Sequence, residues 1–213
     1  MNTLAWYDNY APVYDLATLG DVFYRKSRIE AIAKLKLTRG ARVADVFCGT
    51  GVNFPLLADQ IGADGAILAL DGSGKMLAKA QARAARDATG AQFTCVQADL
   101  TDPVGLESAA RAIAEHRCHH ILFSLGLTCL PNWREVSSRL FDAAPSGVRV
   151  VIMDAYSARL RPGARFINWI GAADIRRPAW QGLEDRAVDF AFEDSRPFGV
   201  IDVSLYVASG SKP

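Results

Sequence analysis

The chain has 213 residues, a formal net charge of +1, 50% hydrophobic residues and 22% charged residues. This composition is typical of a soluble globular protein large enough for one core, and the small net charge argues against nucleic acid as a partner. The first residues have neither a basic start nor an apolar core, and no apolar stretch approaches the ~18 residues of a membrane span. We therefore expect a cytoplasmic protein, with a local basic face that would still allow peripheral contact at the inner membrane face.

The cysteines and histidines do not have the spacing of a metal site. The four cysteines show no C-x-x-C pair, and three of them lie in or beside apolar runs, so we expect buried free thiols. All three histidines lie in EHRCHH, residues 115–120. Adjacent histidines before a strand rarely converge on one ion, so the sequence predicts a solvated loop and no metal.

The predicted elements alternate between helices and strands along most of the chain. An aromatic, turn-rich segment over residues 2–20 precedes a helix over 21–37. Short apolar runs then predict strands at 41–47, 66–71, 92–99, 120–125 and 148–154, separated by helices at 53–61, 73–88, 103–116 and 133–143. Buried strands alternating with helices indicate a parallel sheet covered on both faces.

The C-terminal part departs from this alternation. Residues 187–194 and 200–209 alternate between apolar and polar side chains and flank the turn SRPFG, which predicts an antiparallel hairpin at the sheet edge. Residues 156–184, with PG and RRP, are expected to be irregular. The predicted fold is therefore α/β, a Rossmann-like doubly wound, mostly parallel seven-stranded sheet with an antiparallel C-terminal hairpin.

The strongest chemical signal is VADVFCGTG, residues 43–51. A predicted strand ends near Asp45, and Gly49 and Gly51 allow the backbone to approach a ligand closely before the next helix begins. Asp71 ends the second predicted strand 20 residues after Gly51, which suits a carboxylate that binds ribose hydroxyls. Asp99 ends the third strand, so all three carboxylates are expected at one sheet edge.

Two nucleotide ligands fit such an edge. A dinucleotide fingerprint G-x-G-x-x-G needs glycine where this chain has Phe54. Asp45 would also repel a pyrophosphate but attract an ammonium or sulfonium group. The residues thus favour S-adenosylmethionine over a nicotinamide cofactor.

VADVFCGTG resembles the first motif of class I S-adenosylmethionine-dependent methyltransferases. ALDGSGKML resembles their second strand and turn, VQADL their third strand, and LFDAAPSGVRVVIMD their fifth-strand motif; the set covers about residues 40–155. Phe47 stands where the family has the first glycine of the loop, and its ring is expected to narrow the space beside the methionine part of the cofactor.

The resemblance implies roles for individual residues. Asp45 and Gly49 would lie near the methionine portion, Asp71 would bind the ribose, and Asp99 would accept a hydrogen bond from the adenine amino group. Leu100 would lie against the adenine ring, and Ser124 with Leu125 would face the methyl group. Arg28 is a candidate for the cofactor carboxylate and Tyr14 for the methionine end; each would otherwise be an ordinary surface or packing residue. The implied cofactor site therefore comprises Asp45, Phe47, Gly49, Gly51, Asp71, Gly72, Asp99, Leu100, Ser124, Arg28 and Tyr14, with Ser124 and Tyr14 as catalytic candidates.

A narrower resemblance concerns the acceptor. YDNYAPVYDLATLGDVFYRKSRIEAI is similar to the start of bacterial lipid N-methyltransferases, including the phosphatidylethanolamine type. ILFSLGLTCLPNW and FGVIDVSLYVASGSKP resemble segments of the enzymes that methylate diacylglyceryl homoserine to betaine lipid. The chain departs from that group at Leu125, where a tyrosine is usual, and at Asp154-Ala155, where the group has D-F.

Residues 156–184 combine arginines with aromatic rings, which would suit an anionic membrane surface; the alternative is a substrate lid with solvated arginines. The residues concerned are Arg159, Arg161, Arg165, Arg176 and Arg177, with Phe166, Trp169, Ile170 and Trp180.

The sequence predicts one domain over residues 1–213, with a helical cap (1–37), a cofactor-binding core (38–155), a substrate or lid segment (156–184) and a closing hairpin (185–213). A neutral amine needs no strong base for methyl transfer, and none is obvious after strand four, so we expect N-methylation of an amine such as an amino-lipid headgroup. The alternatives are methylation of a soluble small molecule, such as a quinone precursor or secondary metabolite, and a cofactor-binding module that has lost catalysis.

Overall fold

A computed structural model describes residues 24–87, 90–195 and 202–213. Tyr14 and the rest of the predicted aromatic segment lie outside these ranges, as does most of the predicted SRPFG turn. Its helices are α1 (Arg25–Lys34), α2 (Phe54–Ile61), α3 (Gly74–Asp87), α4 (Pro103–Glu115), α5 (Trp133–Ala143), α6 (Pro162–Ile170) and α7 (Gln181–Glu184). Its strands are β1 (Arg42–Val46), β2 (Ala66–Asp71), β3 (Gln92–Gln97), β4 (His120–Ser124), β5 (Arg149–Tyr156), β6 (Val188–Ser195) and β7 (Ser204–Ser211).

The seven strands form one sheet in the order β3-β2-β1-β4-β5-β7-β6. β1 to β5 are parallel, while β7 pairs antiparallel with both β5 and β6. This confirms the predicted mostly parallel sheet with an antiparallel C-terminal hairpin. Because the parallel strands share one direction, their carboxyl ends meet at a single edge, which we call the carboxyl edge.

Apolar side chains cover both faces of the sheet. One face packs against α1, α2 and α3, and the other against α4, α5 and α7. A third, smaller cluster lies at the carboxyl edge beneath α6; it contains Ala155, Ala164, Ile175, Val203 and Leu205. We call it the α6 cluster.

The segment predicted to be irregular, residues 156–184, contains two helices, α6 and α7, so that prediction was wrong. Pro162 occupies the first turn of α6, where its missing N–H costs no hydrogen bond. The side chain of Asn168 then accepts a hydrogen bond from the Ile175 N–H at 2.9 Å, which fixes the chain that follows the helix. Among the described residues, no helix is long and apolar enough to cross a bilayer.

All four cysteines are free; Cys48 and Cys118 are buried, whereas Cys95 and Cys129 are half-buried. Burial raises the pKa of Cys118 to about 12 and raises that of Cys48 well above its usual value. These two thiols stay protonated at neutral pH, which agrees with the buried free thiols expected from the sequence.

Candidate functional site

The three carboxylates predicted from the strand ends lie together at the carboxyl edge. Asp45 is in β1, Asp71 ends β2, and Asp99 comes two residues after β3 ends. The order β3-β2-β1 makes these strands direct neighbours. The sequence expectation of an acidic edge is therefore met in the structure.

Asp71 connects the glycine loop to β2. Its Oδ2 accepts a hydrogen bond from the Gly49 N–H and its Oδ1 accepts one from the Ser73 N–H, both at 2.9 Å. A carboxylate has about four acceptor sites in all, so Asp71 can accept the hydroxyls of a ribose in addition to these two N–H groups. Gly72, between Asp71 and Ser73, belongs to the same turn.

Glycine is required in the loop for two different reasons. Gly49 and Gly51 both have left-handed backbones, with φ of 54° and 78°. A Cβ at Gly51 would come within 2.6 Å of the Phe54 ring, whereas one at Gly49 would meet nothing within 4 Å. The open side at Gly49 leaves room for a ligand to approach the backbone.

Asp45 is fully buried, and its carboxylate contacts Asn53. The Asn53 amide Nδ2 donates to Asp45 Oδ1 at 2.8 Å and Oδ2 at 3.0 Å. Burial raises the pKa of Asp45 to about 7, and the Asn53 hydrogen bond and the positive charge of Arg28 limit that rise. Asp45 is therefore close to half-ionised at neutral pH.

Arg28 completes this buried network. Its Nη1 donates to Asn53 Oδ1 and lies 3.4 Å from Ser124 Oγ. Arg28 is only 5% exposed, so it is not an ordinary surface arginine of α1. The structure thus brings the predicted residues Arg28, Asp45 and Ser124 together and adds Asn53, which the sequence reasoning missed. The available signal was a polar residue at the start of the apolar run NFPLL.

Phe47 packs on the opposite side of the sheet edge from this network. Its ring contacts Gly126, where a Cβ would lie 2.1 Å from Phe47 Cγ, and its centroid is 6.3 Å from that of Phe123. Phe47 itself has a φ of 62°, a backbone region that favours glycine. These contacts belong to the α4–α5 face, whereas Asp45 and Asn53 meet Arg28 of α1 on the other face.

Asp99 and Leu100 follow the end of β3 and lie next to a side-chain oxygen that accepts no hydrogen bond among the described residues. Asp99 Oδ1 accepts hydrogen bonds from the N–H and O–H of Thr101, and Leu100 is buried. Asn132 Nδ2 donates to the Leu100 carbonyl at 3.0 Å, while its buried Oδ1 accepts no hydrogen bond in the described part of the chain. A ligand amino group near Leu100 would satisfy that orphaned oxygen, so the region fits the adenine predicted there.

Ser124 ends β4, and Leu125 follows it beside the α6 cluster. Leu125 has a φ of 56° and donates its N–H to the Met153 carbonyl at 2.8 Å. Leu125 and Tyr24 both pack against the α6 cluster. Burial raises the pKa of Tyr24, and Asp154 adds to the rise while Arg28 opposes it. Tyr24 therefore keeps its proton at neutral pH. Tyr14, the tyrosine that the sequence predicts for this site, lies outside the described residues and stays a prediction.

No histidine lies at the carboxyl edge. His120 begins β4, roughly 13 Å along the strand from Ser124. His119 precedes it directly, and His116 follows the end of α4. Among the described residues, no group of histidine, cysteine, aspartate and glutamate side chains could hold a metal ion.

Asp154 is the buried carboxylate of β5, and it is already hydrogen-bonded. It accepts the N–H and O–H of Thr128 at 3.1 and 2.8 Å and the N–H of Ala155 at 2.8 Å. Burial raises the pKa of Asp154, and these hydrogen bonds oppose the rise. Its contacts hold the turn after β4 rather than offer a base to an acceptor.

The arginine and aromatic residues of 156–184 separate into two groups. Trp180 does not face outward: its ring centroid lies 4.9 Å from those of Tyr156, Phe192 and Tyr206. Arg177 donates to the Thr128 carbonyl, and Arg176 pairs with Asp174. Grouping Trp180 with the outward-facing rings was wrong, because the C-terminal hairpin supplies a buried aromatic setting for it. The outward-facing part consists of Phe166 and Trp169 with Arg159, Arg161 and Arg165.

Comparison with known proteins agrees with this geometry. A family model described as "Methyltransferase domain" matches residues 43–138. The demethylmenaquinone methyltransferase of Lactiplantibacillus plantarum is 26% identical over 160 residues, which cover 72% of this chain and 62% of that protein. The chain therefore spans less than two thirds of the length of this relative.

Solved structures share the fold. Phosphoethanolamine N-methyltransferase 2 of Haemonchus contortus, solved with phosphomonomethylethanolamine and S-adenosylhomocysteine, has a TM-score of 0.71 at 12% identity, covering 100% of this chain and 61% of that one. Geranyl diphosphate C-methyltransferase of Streptomyces coelicolor A3(2) has a TM-score of 0.68 at 10% identity, covering 89% of this chain and 77% of that one. At these identities the likeness concerns the fold alone.

The matched segment and the relative together support an S-adenosylmethionine-dependent methyltransferase, and the sheet agrees with the fold of the solved structures. Solved structures that share the fold contain S-adenosylmethionine or its demethylated product.

Proposed function

We propose that the protein transfers a methyl group from S-adenosylmethionine to the nitrogen of an amine, and that the amine belongs to an amino-lipid headgroup of the diacylglyceryl homoserine or phosphatidylethanolamine type. The observation that carries the choice of an amine is the surroundings of Ser124 and Leu125. Apolar side chains of the α6 cluster lie beside them, Tyr24 keeps its proton, and all three histidines lie at the opposite edge.

The chemistry of an amine acceptor suits such surroundings. When bound, S-adenosylmethionine supplies a methyl carbon that is already activated by its sulfonium. An ammonium group that leaves water for an apolar setting has a lowered pKa, so the neutral amine forms without a strong base. The protein then has to align donor and acceptor and exclude water. Leu125, Ala155 and Ile167 would exclude water, and the Tyr24 hydroxyl would orient the nitrogen.

The buried network fits the amino-acid end of the cofactor. Arg28 would attract the cofactor carboxylate, and Asp45 would favour its ammonium through the Asn53 amide or after a small shift of that amide. Asp71 would bind the ribose, and Asp99, Leu100 and Asn132 would bind the adenine. These assignments join the expected roles to contacts in the structure.

The lipid part of the proposal is supported by the resemblance of residues 7–32, 121–133 and 198–213 to lipid N-methyltransferases. It is also supported by α6, which presents aromatic rings and arginines outward and packs next to Leu125.

The test is an acceptor panel. Purified protein and methyl-labelled S-adenosylmethionine are incubated with phosphatidylethanolamine, diacylglyceryl homoserine, their water-soluble headgroups, phenols and carboxylates. We expect label on nitrogen, with the lipids preferred over the free headgroups. Asp71→Ala should weaken cofactor binding by about 1–3 kcal/mol, whereas Asp64→Ala, on an exposed loop before β2, should not. Transfer only to phenols or carboxylates would overturn the proposal.

A second candidate function is methylation of a quinone precursor, which the demethylmenaquinone methyltransferase relative favours. The same panel separates the two when it includes a demethylmenaquinol analogue, because that product carries the label on ring carbon. Calorimetry with S-adenosylmethionine and S-adenosylhomocysteine covers the remaining alternative, a domain without catalysis. Binding heat without methyl transfer to any acceptor would support a cofactor-binding module that has lost catalysis, whereas no binding heat with either compound would overturn both enzymatic functions.

A further inference from the structure

Helix α6 lies between the protein exterior and the surroundings of Ser124 and Leu125, which we call the acceptor side. Ala164 is fully buried in the α6 cluster, and Ile167 packs against it from the same helix face. This cluster also touches Leu125, the residue after Ser124. A molecule that docks on the outer face of α6 would therefore be one helix thickness from the acceptor side, about 10 Å.

The outer face of α6 is unusually apolar. Phe166 and Trp169 are 57% and 59% exposed, and their ring centroids lie 6.3 Å apart. They are three residues apart, so they share one face of the helix. A helix on the surface of a soluble protein normally presents polar residues to water, and exposed apolar patches often mark interaction sites.

The charge around these rings is positive. Between Asp154 and Asp174 the sequence has no acidic residue, but it has Arg159, Arg161 and Arg165. All three arginines are exposed. Within the described ranges, neither Arg159 nor Arg165 pairs with a carboxylate, and Arg161 only approaches Asp202, at 3.8 Å.

We propose that the outer face of α6 docks on an anionic lipid surface. Phe166 and Trp169 would enter the interfacial region of the bilayer, where amphipathic aromatic rings are favoured. Arg159, Arg161 and Arg165 would meet lipid phosphates. This inference deepens the proposed function and rests on it, because docking brings headgroups to the side of α6 that adjoins Leu125.

The experiment measures binding without catalysis. The purified protein is floated with vesicles of phosphatidylcholine alone or of phosphatidylcholine mixed with phosphatidylglycerol. We expect flotation with the mixed vesicles that weakens as salt is raised. The double variant Phe166→Ser, Trp169→Ser should partition at least tenfold less. Its control is Val104→Ser, because Val104 is 77% exposed on α4 and should not matter.

The charge contribution is tested in the same way. Arg165→Gln should weaken partitioning about fivefold, the value expected when one basic residue near an anionic surface contributes about 1 kcal/mol. Arg111→Gln on α4 also removes an exposed arginine and should have no effect. Thermal unfolding and calorimetry with S-adenosylhomocysteine establish that each variant is folded.

The outcomes separate this inference from the proposed function. Flotation that depends on the rings and on Arg165, without methyl transfer to any amine, would support the docking surface and overturn the amine reaction. Amine methylation in detergent micelles, without flotation on either vesicle, would support the amine reaction and overturn the docking surface. A change in oligomeric state of the double variant without vesicles would assign the face to a second copy of the chain and overturn lipid docking.

Discussion

Asp45 shows how one buried side chain can link cofactor binding to pH. Its carboxylate is shielded from water, and Asn53 rather than Arg28 makes the direct hydrogen bonds to it. The Asn53 amide lies between the two charged groups: it accepts a hydrogen bond from Arg28 and donates to Asp45. It thereby keeps the guanidinium and the carboxylate apart. The carboxyl is consequently less stabilised in its ionised form than it would be in a direct ion pair, and its pKa stays at about 7.

We predict that cofactor affinity falls as the pH is lowered from 7 to 5.5. Below pH 7 the free protein holds a proton on Asp45, and the cofactor ammonium favours the ionised carboxyl, so binding must release that proton. The dissociation constant should rise, approaching tenfold per pH unit below about pH 6. Calorimetry in two buffers of different ionisation enthalpy measures both the affinity and the proton released.

Asp45→Asn is the matched variant. The substitution keeps the size of the side chain and an oxygen that accepts from Asn53, but it removes the ionisable group. We expect weaker binding at pH 7 and a flat profile from pH 7 to 5.5. An unchanged pH slope in the variant would remove Asp45 from this linkage.

At the scale of elements, two strand-end turns interlock. The residues after β1 and β4, Phe47 and Leu125, both have left-handed backbones without being glycine. Such conformations persist only where the surroundings hold them. Gly126 provides the space for the Phe47 ring. The glycine missing from the β1 loop is thus matched by a glycine in the neighbouring turn.

This complementarity predicts a coupled pair of substitutions. Gly126→Ala should destabilise the protein by about 1–3 kcal/mol, because its Cβ would overlap Phe47. In a Phe47→Gly background the same change should cost markedly less. Urea unfolding of the four proteins in the cycle measures the coupling. Gly171→Ala, away from Phe47, serves as the control; additive effects for Gly126→Ala as well would contradict the interlock.

At the scale of the whole molecule, the sequence predicted the sheet better than the parts that cover it. β2 and α5 occur where the sequence placed them, because an apolar run ends at Asp71 and amphipathic spacing begins at Trp133. The acidic edge followed from strand direction alone. α6 was not predicted because its first turn contains Pro162 and Gly163. Its outward-facing aromatic rings also obscure the helical spacing of its buried apolar residues. Asn53 was missed because its importance depends on Arg28, 25 residues away along the chain.

Trp169 and Trp180 could not be told apart by sequence, since both lie in the same arginine-rich segment. The structure gives them different surroundings. Trp169 is 59% exposed, whereas Trp180 precedes α7 and its ring meets one aromatic ring from each of β5, β6 and β7. Trp180 therefore ties the C-terminal hairpin to the rest of the sheet.

This difference predicts that substitution by alanine destabilises the protein at one position and hardly at the other. Trp180→Ala should lower the free energy of unfolding by roughly 2–4 kcal/mol, because it removes the centre of a packed aromatic group that includes the fully buried Tyr206. Trp169→Ala should change it by no more than about 0.5 kcal/mol, because water already surrounds most of that ring. Urea unfolding followed by far-UV circular dichroism compares them without relying on tryptophan emission. Equal losses of stability would show that Trp180 does not anchor the hairpin, since the two substitutions differ only in what surrounds the ring.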